Sequence, residues 1–361
     1  MIERFIIARE GARMAKRSIK VRLRGFSRYQ GDAQEICREI IKDCFNGKYF
    51  QVSNGHFKSF YIRDFSWCIQ PLLDLGFEKE VYSTLEYCLS CYQKHNRVSV
   101  AISDVPFDFP RFAVDSLPSL IHCLRIADAR SLLEKYKGFL IDQLNHYYRQ
   151  VIDKSNGMVK SGHFSSIKDH YIRNSCCYDN TMVAMLSKDL NELSFYNPVR
   201  EFRYEKLLLF NFWNGEYFRD EEGSDIISGD ANIFPFWSGV ITDKKMLRSA
   251  MKNLQKEGLE SPYPLAYTKT DAGKKIKASI LAPGYEDDSL WMHIGSLFLQ
   301  LIREVSKKDF NTYLKRYTDL IEEHKNFLEV LDKEGKPFRR LFYITDESML
   351  WASIYLSLCE R

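Results

Sequence analysis

Read for apolar residues at i, i+3, i+4 and i+7, the chain gives one amphipathic helix after another, with a period-two stretch only near its start. The pattern predicts helices over 32–46, 64–75, 78–95, 114–127, 131–152, 178–193, 200–213, 230–241, 243–257, 286–305, 308–332 and 346–359. After "PLLDLG", "CLRIAD" and "SGVITD" the next helix begins within a few residues, which reads as antiparallel helical hairpins. Other joints are long: 96–113, 153–177, 214–229 and 258–285 hold most of the Gly, Pro, aromatic and acidic residues. Long loops in a compact domain are usually functional.

The period-two stretch is "SIKVRLRGF", where Ile19, Val21 and Leu23 alternate with charges and suggest a half-exposed strand. It belongs to a basic arm in which Arg4, Arg9, Arg13, Lys16, Arg17, Lys20, Arg22, Arg24 and Arg28 face only Glu3 and Glu10. Residues 1–30 are therefore read as an arm acting as a lid or edge, and 31–361 as one domain. The whole chain carries only +4, so the remainder is near neutral. Such an arm can hold nucleic acid or an anionic membrane, but a solvated face is its commoner meaning. Neither is expected as a partner, and the oligomeric state is left open. The apolar "FIIA" is too short for a signal-peptide core and no run approaches membrane-spanning length, so a cytoplasmic location is expected.

With 45% apolar and 14% aromatic residues the chain can build one large core. Most of its nine cysteines fall on apolar helical positions, which suits reduced thiols. Cys88 and Cys91 form a CxxC, but mid-helix and without a second pair. There is no HExxH, GxGxxG or P-loop, so neither metal nor cofactor is expected.

A weak repeat runs through the helices. Every second one opens with an acid beside an aromatic or bulky residue: "RDFSW", "VDSLPSL", "YDNTM", "GDANIFPFW", "EDDSLW" and "DESMLW". Acids in a first turn are stabilised by the helix dipole, which accounts for the acids but not for their aromatic neighbours. Six repeats of about 55–60 residues fit an all-α toroid of six helical hairpins, an (α/α)6 barrel, with a short N-terminal strand or arm. Its inner helices would bring acids and long loops to one rim, forming an aromatic-walled, acid-lined funnel. Such a surface suits carbohydrate, because pyranose C–H faces pack on rings while carboxylates, Arg and Asn bond the hydroxyls.

These same residues resemble the six-hairpin, (α/α)6-barrel glycosidases, the group of glucoamylases, trehalases, neutral and alkaline invertases and the glucosidase portion of debranching enzymes. The likeness lies in scattered motifs between about residues 60 and 355. "IRDFSW" looks like the family's Trp/Leu-x-Arg-Asp segment, which implies that Arg63 and Asp64, with Trp67 nearby, bind the sugar whose bond is broken. "FAVDSLPSLI" is similar to the invertases' Val-Asp-Ser and implies that Asp115 is the general acid. "FLEVLDKEGKPFRRLFYITDESMLWAS" resembles the family's Glu-x-x-Asp-x-x-x-Gly stretch and implies that Glu329 is the base, with Glu286 and Glu347 as alternatives. Asp179 and Asn180 in "CCYDNTM" match further sugar-binding positions, and Trp237, Trp291 and Trp351 are candidate platforms. Each also has a structural reading, as helix cap, ion pair or core residue.

Asp115 would need a raised pKa, through burial or a neighbouring carboxylate such as Asp64. A pair of this kind inverts the anomeric centre, with carboxyls about 6.5–9.5 Å apart to admit water. The implied function is an inverting, exo-acting glycosidase on a short α-linked glucoside or related oligosaccharide. Two alternatives stand beside it: a sugar epimerase, with His293 its nearest histidine, or an unsaturated-uronide hydrolase on the same barrel, and a toroid that only binds carbohydrate or a partner.

Overall fold

A computed structural model of the chain describes residues 2–109, 111–162, 164–270 and 273–360. Its helices are α1 (Ile2–Arg24), α2 (Ala33–Cys44), α3 (Ile62–Asp74), α4 (Glu78–Lys94), α5 (Ser116–Ile126), α6 (Arg130–Lys135), α7 (Lys137–Val151), α8 (Cys177–Glu192), α9 (Tyr204–Phe212), α10 (Gly229–Trp237), α11 (Lys244–Glu257), α12 (Met292–Val305), α13 (Lys307–His324) and α14 (Ala352–Cys359).

Their order in space is a closed double ring. The helices α3, α5, α8, α10, α12 and α14 touch in sequence, and α14 returns to α3. Outside them α4 packs on α3, α6 and α7 on α5, α9 on α8, α11 on α10 and α12, α13 on α12, and α2 on α14. This is the (α/α)6 toroid expected from the sequence. The apolar pattern explains which helix goes where. The outer helix α11 buries only Leu247, Ala250, Met251 and Leu254, a single stripe. The inner helix α8 instead buries residues all round, from Cys177 through Leu190. Inner helices are enclosed by two inner neighbours and an outer partner, so every face must be apolar or internally hydrogen-bonded.

Short strands collect in the long loops. Phe60–Tyr61, Ala101–Ile102 and Pro106–Phe107 make a three-stranded sheet, with Phe60 opposite Ile102 and Ala101 opposite Phe107. Leu290–Trp291 pairs with Val330–Leu331, tying the loop before α12 to the one after α13.

Two expectations are corrected. The strand read in "SIKVRLRGF" is helix, the last two turns of α1. Its buried residues Ile6, Glu10, Arg17, Ser18 and Val21 follow helical spacing, while Ile19 and Leu23 stand in solvent, so the alternation was coincidental. The helix read through 332 ends at His324, where Lys325 takes a left-handed φ of 51° as its cap. Glu329 therefore stands in a rim loop. Among the described residues no helix is long and apolar enough to cross a membrane.

Candidate functional site

A cavity of about 110 Å3 opens at the end of the barrel that carries the inner-helix N-termini. Its walls are aromatic, with Phe57, Tyr61, Trp67, Tyr267, Tyr285, Trp291 and Trp351. Among the described residues four carboxyl groups line it: Asp64, Asp169, Glu286 and Glu329.

Glu329 is the most elaborately held. It is 1% exposed, and its Oε2 accepts from the backbone N–H of Asp346 at 2.7 Å and lies 2.7 Å from the Tyr343 hydroxyl. The Tyr285 hydroxyl donates to Oε1, and the Tyr285 carbonyl is in turn fixed by the Trp291 indole N–H at 2.9 Å. Burial, then the neighbouring Asp346 carboxylate, pushes its pKa up to about 7, while these donors pull the other way.

Behind Glu329 lies a buried charge cluster. The Asp346 carboxylate accepts from Ser53 Oγ at 2.5 Å and from the backbone N–H groups of His56 and Phe57 at 2.9 and 3.0 Å, and it pairs with Arg17 at 3.2 Å. Burial pushes Asp346 up, but His56 and Arg17 outweigh it and the net shift is downward. Arg17, delivered by α1, also pairs with Glu347 at 3.2 Å and donates to the carbonyls of Ile344 and Thr345 at 3.1 and 2.7 Å. Burial lowers His56 to about 4, so it is neutral where it meets Tyr343 at 3.3 Å.

Across the cavity, Arg63 organises the second group. Its Nε and Nη2 bind Asp115 at 2.6 and 3.3 Å, and its Nη1 reaches Asp169 at 3.3 Å. Asp169 also lies 2.5 Å from the Ser165 hydroxyl, and about a third of its side chain is exposed. Asp64 accepts from the Trp351 indole at 3.1 Å, and burial, opposed by Arg63, raises its pKa to about 7. Glu286 accepts from the His170 N–H at 2.8 Å and is likewise raised by burial.

The ring order relates these loops to one another. Asp169 lies in the loop between α7 and α8 and Glu329 in the loop between α13 and α14, ahead of inner helices three places apart in the ring; the first loop reaches over to the one before α12, where the His170 N–H bonds Glu286. Glu286, between α11 and α12, comes from the hairpin next to that of Glu329. One carboxylate is deep and the other lies toward solvent.

Of the residues singled out in the sequence, Arg63, Asp64, Trp67, Glu286, Trp291, Glu329 and Trp351 line the cavity. Others do not. Asp115 is fully buried, with Arg63 and the Tyr178 hydroxyl at 2.9 Å on its oxygens, and it does not line the cavity. Glu347 is taken by Arg17 and by the Ser27 N–H at 2.6 Å. Asn180 is structural: its Oδ1 accepts from Val159 N–H and its amide donates to the carbonyls of Ser175 and Cys176. Asp179 is buried beside it and raised to about 7 by burial, with Arg173 opposing. Trp237 belongs to a second cavity of about 390 Å3 at the other end of the barrel, where Glu304 is the only lining carboxylate among the described residues. The rim acids are thus largely consumed by internal ion pairs, Arg63 with Asp115, Arg173 with Asp230 and Arg17 with Asp346.

Asp169, Tyr285, Tyr343 and Arg17 were not singled out from the sequence. Asp169 in "IKDHYI" sits inside a long loop that the sequence did mark, away from any helix start.

No family model matches the chain, and no curated protein sequence matches it. Solved structures do. The fold is similar to that of the GH63 mannosylglycerate hydrolase from Thermus thermophilus in complex with Tris, with TM-score 0.64 over 91% of this chain and 100% of that one at 11% identity. It is also similar to a single-residue variant of a glycosidase in complex with glucose, with TM-score 0.60 over 98% of this chain and 97% of that one, again at 11% identity. At such identity the likeness establishes the shared toroid of six helical hairpins.

Proposed function

We propose that the protein is an inverting, exo-acting glycoside hydrolase, with a short α-linked glucoside or related oligosaccharide as substrate. The observation that carries this reading is the pair of carboxylates brought to one small aromatic cavity by loops far apart in the chain, Glu329 deep and Asp169 toward solvent.

The terminal sugar enters with its C–H faces on Trp67, Trp291 and Trp351. Asp64 and Arg63 bond its hydroxyls. Glu329 is the base: a carboxylate with a pKa of about 7 is well matched to taking a proton from water at neutral pH. Its three donors hold the carboxylate still while water is activated. Asp169, held by Arg63 and Ser165 near the mouth, replaces Asp115 as the group that protonates the leaving oxygen, and the aglycone departs outward. Water attacks from the deep face and the anomeric configuration inverts. Asp115 then acts through Arg63, setting the guanidinium that positions Asp169. The narrow cavity admits one sugar, which favours a chain end over an internal bond.

An epimerase of the kind that works through paired histidines would need a second imidazole, and His293 is the one histidine lining the cavity among the described residues. That imidazole is stacked on Trp67 at 4.6 Å, and burial holds its pKa well below the usual value. The test is a panel of α-linked disaccharides and α-glucosides of small alcohols and acids, followed by NMR that resolves the first anomer released. Release of the β-anomer from an α-linked substrate supports the reading. Release of the α-anomer, or no turnover of any member, defeats it.

A further inference from the structure

The basic arm takes no direct part in the chemistry proposed above, although its Arg17 reaches the buried cluster behind Glu329. Its outward face has a composition of its own. Along α1, Gly11, Ala15, Ile19 and Leu23 follow one another at four-residue spacing and are exposed, with Lys16, Lys20 and Arg24 on the adjoining stripe. The Arg22 guanidinium bonds the carbonyls of Arg340 and Leu341, both at 2.6 Å, and so fastens the turn 339–342 against the end of this helix. Arg17 and Arg339 both stand over the Phe26 ring, at 5.8 and 5.5 Å. The helix end and the turn are therefore one surface.

That surface gathers four large apolar side chains in solvent: Ile19 at 58%, Leu23 at 79%, Leu341 at 71% and Phe342 at 61% exposure. Apolar tips this exposed are costly unless something covers them. On the same helix and turn Lys16, Lys20, Arg22, Arg24 and Arg339 are exposed. Neither 11–28 nor 336–343 contains an Asp or Glu. Of the acids in contact with this stretch, Asp346 and Glu347 are buried against Arg17 and Glu10 against Arg13, while Glu323 stands exposed beside Arg28.

We propose that this face docks the protein on an anionic lipid surface, the apolar tips entering the boundary between headgroups and acyl chains and the lysines and arginines meeting the headgroup charge. This is the composition of an interfacial helix, apolar tips within a cationic ring. A second copy placed on the same face would set like charge against like charge. A nucleic acid would be served by the cations but has no use for Ile19, Leu23 and Leu341. The proposal is independent of the glycosidase reading and amends the expectation that no membrane is a partner, while leaving the chain unspanning.

The experiment is flotation of the full chain with vesicles of phosphatidylcholine alone or with about 30 mol% phosphatidylglycerol, at low and high salt. The expected result is at least about tenfold more protein on the anionic vesicles, most of it lost at high salt. Lys16→Glu with Lys20→Glu should abolish the preference for anionic lipid, and Leu23→Ser with Leu341→Ser should weaken binding at every salt. Thermal unfolding of each variant establishes that it is folded. Equal partition to neutral and anionic vesicles, or no flotation of the wild type, overturns the proposal. So does salt-sensitive binding to single-stranded RNA with none to vesicles, or a dimer broken by Leu23→Ser.

Discussion

Glu329→Gln tests the base through the stability of the protein as well as through its rate. The carboxyl is lifted from 4.5 to about 7, a difference of about 2.5 units, each equivalent to about 1.36 kcal/mol. Because the folded-state value lies above the unfolded one, ionisation is harder in the fold. The penalty is absent below pH about 4.5, grows as pH rises, and is complete above about 7, where it costs roughly 3 kcal/mol. Glutamine removes the charge while keeping an acceptor for Asp346 N–H and Tyr343. The variant should therefore be more stable than wild type at pH 8 and equal to it at pH 4. With an unfolding entropy of about 2.1 cal/mol/K per residue, or about 0.8 kcal/mol/K for 361 residues, the gain corresponds to roughly 4 °C in Tm. The same substitution should lower kcat by about 10²–10⁴-fold. Calorimetry at the two pH values, beside a rate on a confirmed substrate, reads both. A variant destabilised at pH 8, or a stability difference that ignores pH, would refute the account of Glu329 as a desolvated, poised carboxylate.

Other outcomes follow from the same geometry. Asp169→Asn should cut turnover of a natural alcohol leaving group by about 10²–10⁴-fold but spare a nitrophenyl glycoside, which needs little protonation; equal losses on both substrates would remove Asp169 as the acid. Asp115→Asn should be milder than Asp169→Asn on the natural leaving group, because it acts only through Arg63; the reverse order would restore Asp115 to the chemistry. In the wild type, the acid limb of the kcat/KM profile should titrate near pH 7 as Glu329 ionises, and a rate flat from pH 5 to 8 contradicts it. Arg17→Met leaves Asp346 and Glu347 buried without their partner and should cost about 3–5 kcal/mol in denaturant unfolding, with Arg17→Lys recovering part of it.

The toroid was legible because its signals are local and redundant. Outer helices such as α11 show one apolar stripe, inner ones such as α8 are buried on every side, and tight joints force antiparallel neighbours. The N-terminal helix was misread because three alternating apolar residues outweighed the wider spacing of Ile6, Glu10, Arg17 and Val21. At the site, Arg63, Asp64 and the tryptophans announce themselves at or near helix entrances. Which acids stay free for substrate is decided by pairings such as Arg63 with Asp115, 52 positions apart, and Arg17 with Ile344 and Thr345, 327 and 328 apart. No local pattern encodes those. Asp169 escaped for the same reason, since its place between Arg63 and Glu286 exists only once the ring has closed.

Closure also fixes when the site comes into being. Asp64 belongs to the first inner helix, while its indole partner Trp351 lies 287 positions later, and α14 must wedge between α2 and α3 to bring them together. A chain emerging from the ribosome carries Arg63 and Asp64 long before it carries Glu329 or Trp351. The pocket is thus the last thing assembled and sits astride the seam. Loosening of that seam should silence the protein while most of its hairpins are still intact.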